Sequence, residues 1–261
     1  MLRRLLLCLM LLPAVALADA PKLVTPGELT WGSSPTFMPF EFMQDGKPTG
    51  FDVDLMADLA KRIGLKSNML GMDFAGIIPA MLGGRIDAGV SGMYVTPARL
   101  QVADFIPYVI VGNQIVVRAG NPKHVTDQHN LCGLNVAVPV STAFEASAKA
   151  LSAECVSAGK PAINLLSLPG STNVALALAQ GRADAALNST ATVAAMMAQD
   201  PDTYELAGPP FDANTKIGIA LRKDDPELTA ELNKALQAMH ADGSYDALLK
   251  KWKLPPQASI F

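Results

Sequence analysis

The sequence predicts an α/β protein of two units, each a mainly parallel sheet flanked by helices, and three observations lead there. Strand-like and helix-like segments alternate, the alternation restarts at Cys132, and the phrase Gly-Arg-x-Asp-Ala occurs twice, at Gly84–Ala88 and Gly181–Ala185. Alternation of this kind implies parallel strands joined by crossover helices. With 261 residues, half of them hydrophobic and 17% charged, the chain has apolar material for one large or two modest cores.

Taken in order, ELTWGSS is a short strand, and FDVDLMADLAKRIG sets Phe51, Leu55, Leu59 and Ile63 on one helical face before a Gly64 cap. KSNMLGM is a strand, and DFAGIIPAMLGG is a helix opened by Asp73 and closed by glycines. IDAGVSG is a strand running into a loop, TPARLQV opens a helix with Thr96 as cap and Pro97 in its first turn, and NQIVVRAG is a strand. From Cys132 follow strand NVAVPV, helix AFEASAKALSAE, strand INLLSL, helix NVALALAQG, strand ADAALN and helix TATVAAMMAQ. Strand IGIAL, a helix from Pro226 to about His240 and the segment GSYDALLKKW complete the first unit.

Each copy of the repeated phrase falls where a helix stops at glycine and the chain turns into a strand. The phrase itself reads as punctuation, its Arg and Asp solvated or paired at the surface. Ligands of open α/β sheets bind outside the carboxyl ends of strands, so the residues after each copy, SGMYVTPAR and NST, are the ones expected at a shared site.

Residues 1–18 read as an export signal: Arg3 and Arg4, the apolar run LLLCLMLLP, then Ala-Leu-Ala at a small-x-small cleavage site. The apolar run is shorter than the about 20 residues of a spanning helix. A lipid-anchored precursor modified at Cys8 is disfavoured by Leu7, where lipoprotein signals carry a small residue. Cleavage leaves 19 Lys and Arg against 24 Asp and Glu, a formal charge of −5 in place of −3. Such a chain has no basic surface for phosphate contacts, which argues against nucleic acid as a partner. The remaining cysteines, Cys132 and Cys155, bracket a strand, a loop and a helix. In an oxidising compartment a disulfide would tie the helix end to the strand start and stabilise by about 3 kcal/mol; two separate buried thiols are the other reading. No CxxC is present to make the pair a redox couple.

Three stretches, MPFEFMQDGKPTGFDVDLMADLAKRIG, DFAGIIPAMLGGRIDAGVSGMYVTPARLQVADFIPY and GSYDALLKKW, carry a resemblance over nearly all of the mature chain. They resemble the periplasmic solute-binding proteins of polar amino acid ABC transporters, the glutamine- and histidine-binding group of extracellular solute-binding protein family 3. The resemblance implies a two-lobed clamshell, the type II periplasmic binding protein fold. Lobe 1 would combine residues 23–110 with 215–261, lobe 2 would hold 111–214, and the hinge would lie near 107–113 and 212–217. The segment AGNPKHVTDQHN would then belong to lobe 2 and not to a linker. It also implies a periplasmic monomer that captures an amino acid or related carboxylate and delivers it to a permease in the inner membrane, with no cofactor and no metal.

Site residues follow from the same resemblance. Arg99 would grip the ligand carboxylate with its planar fork, helped by Gly92 and the backbone N–H of Tyr94. Thr142 and the backbone N–H of Ala143, at a helix start, would meet it from lobe 2. Phe37 and Phe74 would sandwich the ligand, and Ser34 would stand where the family places a side-chain selector. Three departures from the family pattern bear on the ligand. Ser189, beside Asn188, replaces the aspartate that holds the α-ammonium; Tyr94 replaces a small hydroxyl residue; and PVSTA replaces the usual glycine-rich loop. A buried ammonium without a carboxylate is costly. Two ligand classes stay open: a keto, acylated or N-substituted amino-acid carboxylate, and an ordinary polar amino acid held by Ser189, Asn188 and water. An aromatic box of Tyr94, Phe37 and Phe74 for an alkylated ammonium is a third.

A dehydratase-like enzyme on the same fold would need an acid or base in the cleft. Ser34, Asn188 and Ser189 supply none, and Glu41 and Glu145 read as loop or helix surface residues. His124, His129 and His240 fit no triad order or metal spacing. A receptor's sensor domain would need a membrane segment after the clamshell, where the sequence stops at Phe261.

Overall fold

The computed structural model describes residues 21–261; the expected export signal, residues 1–18 with Cys8, lies outside them. In chain order the first half contains β1 (Glu28–Ser33), a small antiparallel sheet of β2 (Thr36–Phe37), β3 (Glu41–Gln44) and β4 (Lys47–Thr49), then α1 (Phe51–Arg62), β5 (Lys66–Gly71), α2 (Phe74–Leu82), β6 (Ala88–Gly89) and α3 (Pro97–Leu100). The long strand β7 (Asp104–Arg118) leads to β8 (Asn135–Pro139), α4 (Ala143–Ser157), β9 (Asn164–Leu168), α5 (Gly170–Ala179), β10 (Ala185–Ser189) and α6 (Thr190–Gln199). A second long strand, β11 (Tyr204–Leu221), returns to α7 (Pro226–Ala241) and α8 (Ser244–Lys251).

The main sheet has eight strands in the order β5-β1-β6-β11-β7-β10-β8-β9. β1, β5 and β6 are mutually parallel, as are β8, β9 and β10. The antiparallel pair β7 and β11 joins these groups: β6 pairs with β11 at Ala220 and Leu221, whereas β10 pairs with β7 over Asn113–Val117. The fold is therefore a two-lobed α/β clamshell in which two strands run from one lobe into the other.

Both long strands were expected only in part, as NQIVVRAG and IGIAL. Pro107, Gly112 and the stretch Gly208-Pro209-Pro210 weaken strand propensity there, but β7 and β11 pair with each other, and that pairing overrides local preference. The register shifts twice between Ala207 and Thr215, where β11 is mostly exposed. The β2–β4 sheet had no signal, its strands being too short for periodicity.

Local rules account for the helix ends. α1 carries Asp52 and Asp54 in its first turn and Lys61 and Arg62 in its last, which matches the helix dipole. In α7 the Asp225 side chain accepts from Leu228 N–H and Pro226 opens the first turn. The core of the first lobe packs Trp31, Phe51, Leu55, Leu59, Leu232 and Leu236 without exposure. Cys132 and Cys155 form a disulfide across a separation of 23 residues, linking the last turn of α4 to the segment before β8.

The repeated phrase does mark the turn from helix to strand, with glycines at positive φ and exposed arginines, but its aspartates are not solvated at the surface. Asp87 is fully buried and accepts from Val24 N–H (2.7 Å) and Thr30 N–H (2.8 Å). Asp184 accepts from Asn135 N–H (2.9 Å). Each aspartate fastens the start of the neighbouring strand, while the glycines and arginines of both copies, Gly84, Arg85, Gly181 and Arg182, are exposed. Among the described residues no helix is long and apolar enough to cross a membrane.

Candidate functional site

A cavity of about 420 Å³ lies between the lobes. The first lobe lines it with Ser34, Thr36, Phe37, Phe74, Gly92, Tyr94 and Arg99; the second brings Thr142, Ala143 and Phe144 from the start of α4, and Gly170, Ser171 and Asn173 from the start of α5. Two helix N-termini, each with free N–H groups and a partial positive charge, therefore face the opening.

Arg99 stands on the short helix α3, held by the Thr96 hydroxyl, which accepts from Arg99 N–H at 3.3 Å. Its Nη1 donates to the Tyr94 carbonyl (2.7 Å) and its Nη2 to the Ser141 carbonyl (3.3 Å). The guanidinium carbon lies 5.2 Å from the centre of the Phe74 ring. Arg99 is half-buried and forms no ion pair among the described residues. Burial lowers its pKa to about 10, which leaves it cationic at neutral pH. An incoming anion would thus find a fixed cation whose main-chain contacts carry no charge.

Aromatic rings form the remaining wall. Phe37 stacks on Phe40 at 5.3 Å and lies 6.4 Å from Phe144, which meets Tyr94 edge-on at 5.1 Å. Gly92 has a φ of 48°, and a Cβ there would come within 2.4 Å of the Phe37 ring. Only glycine fits that position. Its N–H donates to Asp52 Oδ2 at 2.9 Å, so what Gly92 offers the cavity is space. Gly170, at a φ of 72°, meets Thr36 across the lobes, where a Cβ would lie 2.5 Å from the hydroxyl oxygen.

Eight of the ten expected residues, Ser34, Phe37, Phe74, Gly92, Tyr94, Arg99, Thr142 and Ala143, line this cavity. Asn188 and Ser189 do not. Ser189 is fully buried as the cap of α6, accepting from Thr192 N–H (3.0 Å) and donating to Thr192 Oγ1 (2.8 Å). Asn188 is buried too, its Oδ1 accepting from Ser189 N–H. Ser189 is paired in the sheet with Asn113, and the Tyr94 hydroxyl, reaching from the cavity wall, donates to Asn113 Oδ1 (3.2 Å). Asn113 Nδ2 in turn donates to Asp212 (3.1 Å). The Thr142 hydroxyl caps α4 and donates to the Pro139 carbonyl (2.6 Å), which leaves the α4 main chain as its contribution.

Glu41 is not the surface residue the sequence suggested, whereas Glu145 is a partly exposed residue of α4. Glu41 is fully buried and lines the cavity floor. Glu145 accepts from Ser141 N–H (2.7 Å) and the Ser167 hydroxyl (2.8 Å) beside Lys149; burial opposes its charge, but Lys149 and these donors hold its pKa below the ordinary value. Sequence reasoning also missed Phe144, Thr36 and Ser171. Phe144 directly follows Ala143, of which only the N–H was considered, and Ser171 was hidden because α5 begins three residues before the expected Asn173.

The fold and cleft define a class, the two-lobed solute-binding proteins. The chain belongs to the bacterial extracellular solute-binding proteins, family 3, whose pattern matches residues 29–255. It is similar to the histidine-binding periplasmic protein of Escherichia coli (strain K12), 30% identical over 257 residues and 96% of either chain. Among solved structures it is similar to an ancestral arginine-binding protein bound to arginine, at 35% identity and a TM-score of 0.80, covering 87% of this chain and 98% of the other. It also resembles an ancestral amino acid-binding protein described as a precursor of cyclohexadienyl dehydratase, at 32% identity and a TM-score of 0.76, over 87% and 95% of the two chains. The protein is a solute-binding protein of this family, and the relatives named here are described as binding histidine, arginine or amino acids.

Proposed function

We propose that the chain is the periplasmic capture subunit of an ABC importer and that its ligand is a carboxylate without a free α-ammonium, such as a keto or N-acyl amino acid. Residues 1–18 direct its export, and a permease in the inner membrane receives the ligand from the closed monomer. Lobe 1 comprises residues 23–110 and 215–261 and lobe 2 residues 111–214; bending is confined to segments 107–113 and 212–217, a reading supported by the register shifts in β11. Arg99 binds the carboxylate, the N–H groups at the start of α4 complete the grip, and Phe37, Phe74 and Phe144 hold the apolar body.

The observation that carries the ligand reading is the charge balance of the cavity: among the described residues Arg99 forms no ion pair, and the acid buried in the lining, Glu41, disfavours the ionised form that an ammonium would need. Of the lining acids, Asp73 is exposed to solvent, and burial with the neighbouring Asp52 pushes Glu41 well above its ordinary pKa. Tyr94 stands between the cavity and the strand that carries Ser189. The same balance favours capture over catalysis. Ser91, which donates to Glu41 at 2.6 Å, faces an acid whose burial works against the ionised form a general base would need.

The test is a thermal-shift screen of mature protein stripped of carried-over ligand by unfolding and refolding. A binder at a hundred times its Kd adds about 2.7 kcal/mol. Keto and N-acyl amino acids are expected to stabilise the wild type and to leave Arg99→Ala unchanged. Stabilisation by ordinary L-amino acids, the class named for the relatives, would replace this reading with a conventional amino acid site.

A further inference from the structure

Two acids are buried together beneath the cleft. Glu41, from β3, and Asp52, from the first turn of α1, are both without exposure. Asp52 Oδ1 accepts from the Tyr108 hydroxyl (2.7 Å) and Oδ2 from Gly92 N–H (2.9 Å). Glu41 Oε1 accepts from the Ser91 hydroxyl (2.6 Å), and Ser91 Oγ accepts from Ser34 N–H (3.0 Å). One oxygen, Glu41 Oε2, meets no donor among the described residues. The two acids are drawn together by the backbone: Asp52 N–H donates to the carbonyl of Phe40, the residue before Glu41 (2.8 Å), and the two carboxyls bond to the consecutive residues Ser91 and Gly92. Around the pair, β7 contributes the neutral Tyr108 phenol and the segment after β6 contributes an N–H and a hydroxyl. The cation that lines the same cavity, Arg99, is bonded to the carbonyls of Tyr94 and Ser141.

We propose that Glu41 keeps its proton at neutral pH, donates it from Oε2 to Asp52, and so acts as the positioning residue that sets Ser34, Ser91 and Gly92 as an uncharged cleft floor. Two adjacent buried carboxylates without a cation cannot both ionise, and a shared proton supplies the donor that Oε2 otherwise lacks. Burial first, and then the charge of Asp52, raise the Glu41 pKa well above its ordinary value; burial raises that of Asp52 as well. With the shared proton the chain of bonds runs from Tyr108 through Asp52 and Glu41 to Ser91 and Ser34, and it leaves Arg99 as the full charge the floor faces. Nothing in it depends on which ligand the cleft takes.

Melting temperature against pH for the ligand-free wild type and Glu41→Gln tests this. An acid whose folded-state pKa is raised binds its proton more tightly folded than unfolded. Its contribution is complete below the unfolded value, about 4.3, and is lost as pH climbs toward the folded value. Glutamine reproduces both bonds, with N–H toward Asp52 and oxygen toward Ser91, and does not titrate. The melting temperature of Glu41→Gln is therefore expected to rise relative to wild type by about 3 °C per pH unit above pH 5. A difference that is flat or falls with pH overturns the proposal. Should the variant not fold, infrared spectra of wild type at pH 7 are expected to show a protonated-carboxyl stretch that shifts on ¹³C labelling of glutamate; its absence overturns the proposal. Positioning has its own readout: the ¹⁵N-amide resonances of Ser34 and Gly92 should hold in Glu41→Gln and move in Glu41→Ala, and equal behaviour in the two variants overturns that role.

Discussion

The two copies of Gly-Arg-x-Asp-Ala make the same fastening and then diverge. Asp87 and Asp184 each bind the backbone at the start of an adjacent strand, β1 or β8. After Asp87 the chain opens into the cleft, where Ser91, Gly92, Tyr94 and Arg99 line the cavity. After Asp184 it stays inside: Asn188 and Ser189 are buried, and the second lobe reaches the cavity through the starts of α4 and α5. A repeated element thus fixes where a strand begins without fixing what its far end does. The difference comes from what stands beyond: in the first lobe a glycine that leaves room for Phe37, in the second a helix cap that uses the Ser189 hydroxyl.

Variants can break this comparison, in descending order of effect. Arg99→Ala removes the first lobe's cation and should cost about 2–5 kcal/mol of ligand affinity by calorimetry, with little change in ligand-free melting temperature; retained affinity would move the grip to the second lobe. Replacing Cys132 and Cys155 by serine should lower stability by about 3 kcal/mol and speed amide exchange in β8, β9 and α4 before β1 and β5. Uniform acceleration would mean that the staple acts on the whole molecule. Asp87→Asn should cost about 1–3 kcal/mol in denaturant unfolding, because both carboxylate oxygens face backbone N–H groups and an amide must turn its NH₂ toward one of them. Asp184→Asn should cost less, since one oxygen binds Asn135 N–H while the other lies 3.8 Å from Lys123; equal costs would show that burial is not what separates the copies. Ser189→Ala should lose about 1 kcal/mol through the α6 cap and leave affinity unchanged, and a parallel loss of affinity would return Ser189 to the ligand.

The alternation of elements was legible because its causes are local: the apolar face of α1, the Thr96-Pro97 start of α3, and the Asp225-Pro226 start of α7. So was most of the cleft, since loops after parallel strands converge there. What stayed hidden depends on distant partners. Glu41 looked like a loop residue, and its burial is set by Ser91 and Asp52, 50 and 11 positions away. The full lengths of β7 and β11 follow from their mutual pairing, against prolines that argue the other way. Ser189 was placed correctly at its strand end, but the reach of the Tyr94 ring toward Asn113 appears only in three dimensions.

The disulfide joins neighbouring cysteines, and among the described residues no third cysteine competes for either. If residues 1–18 direct export as proposed, so that the chain meets an oxidant on the far side of a membrane, this removes a source of error. The bond can close once residue 155 has emerged, before the strand that returns to the first lobe arrives, and with a single possible pairing there is nothing for an isomerase to correct.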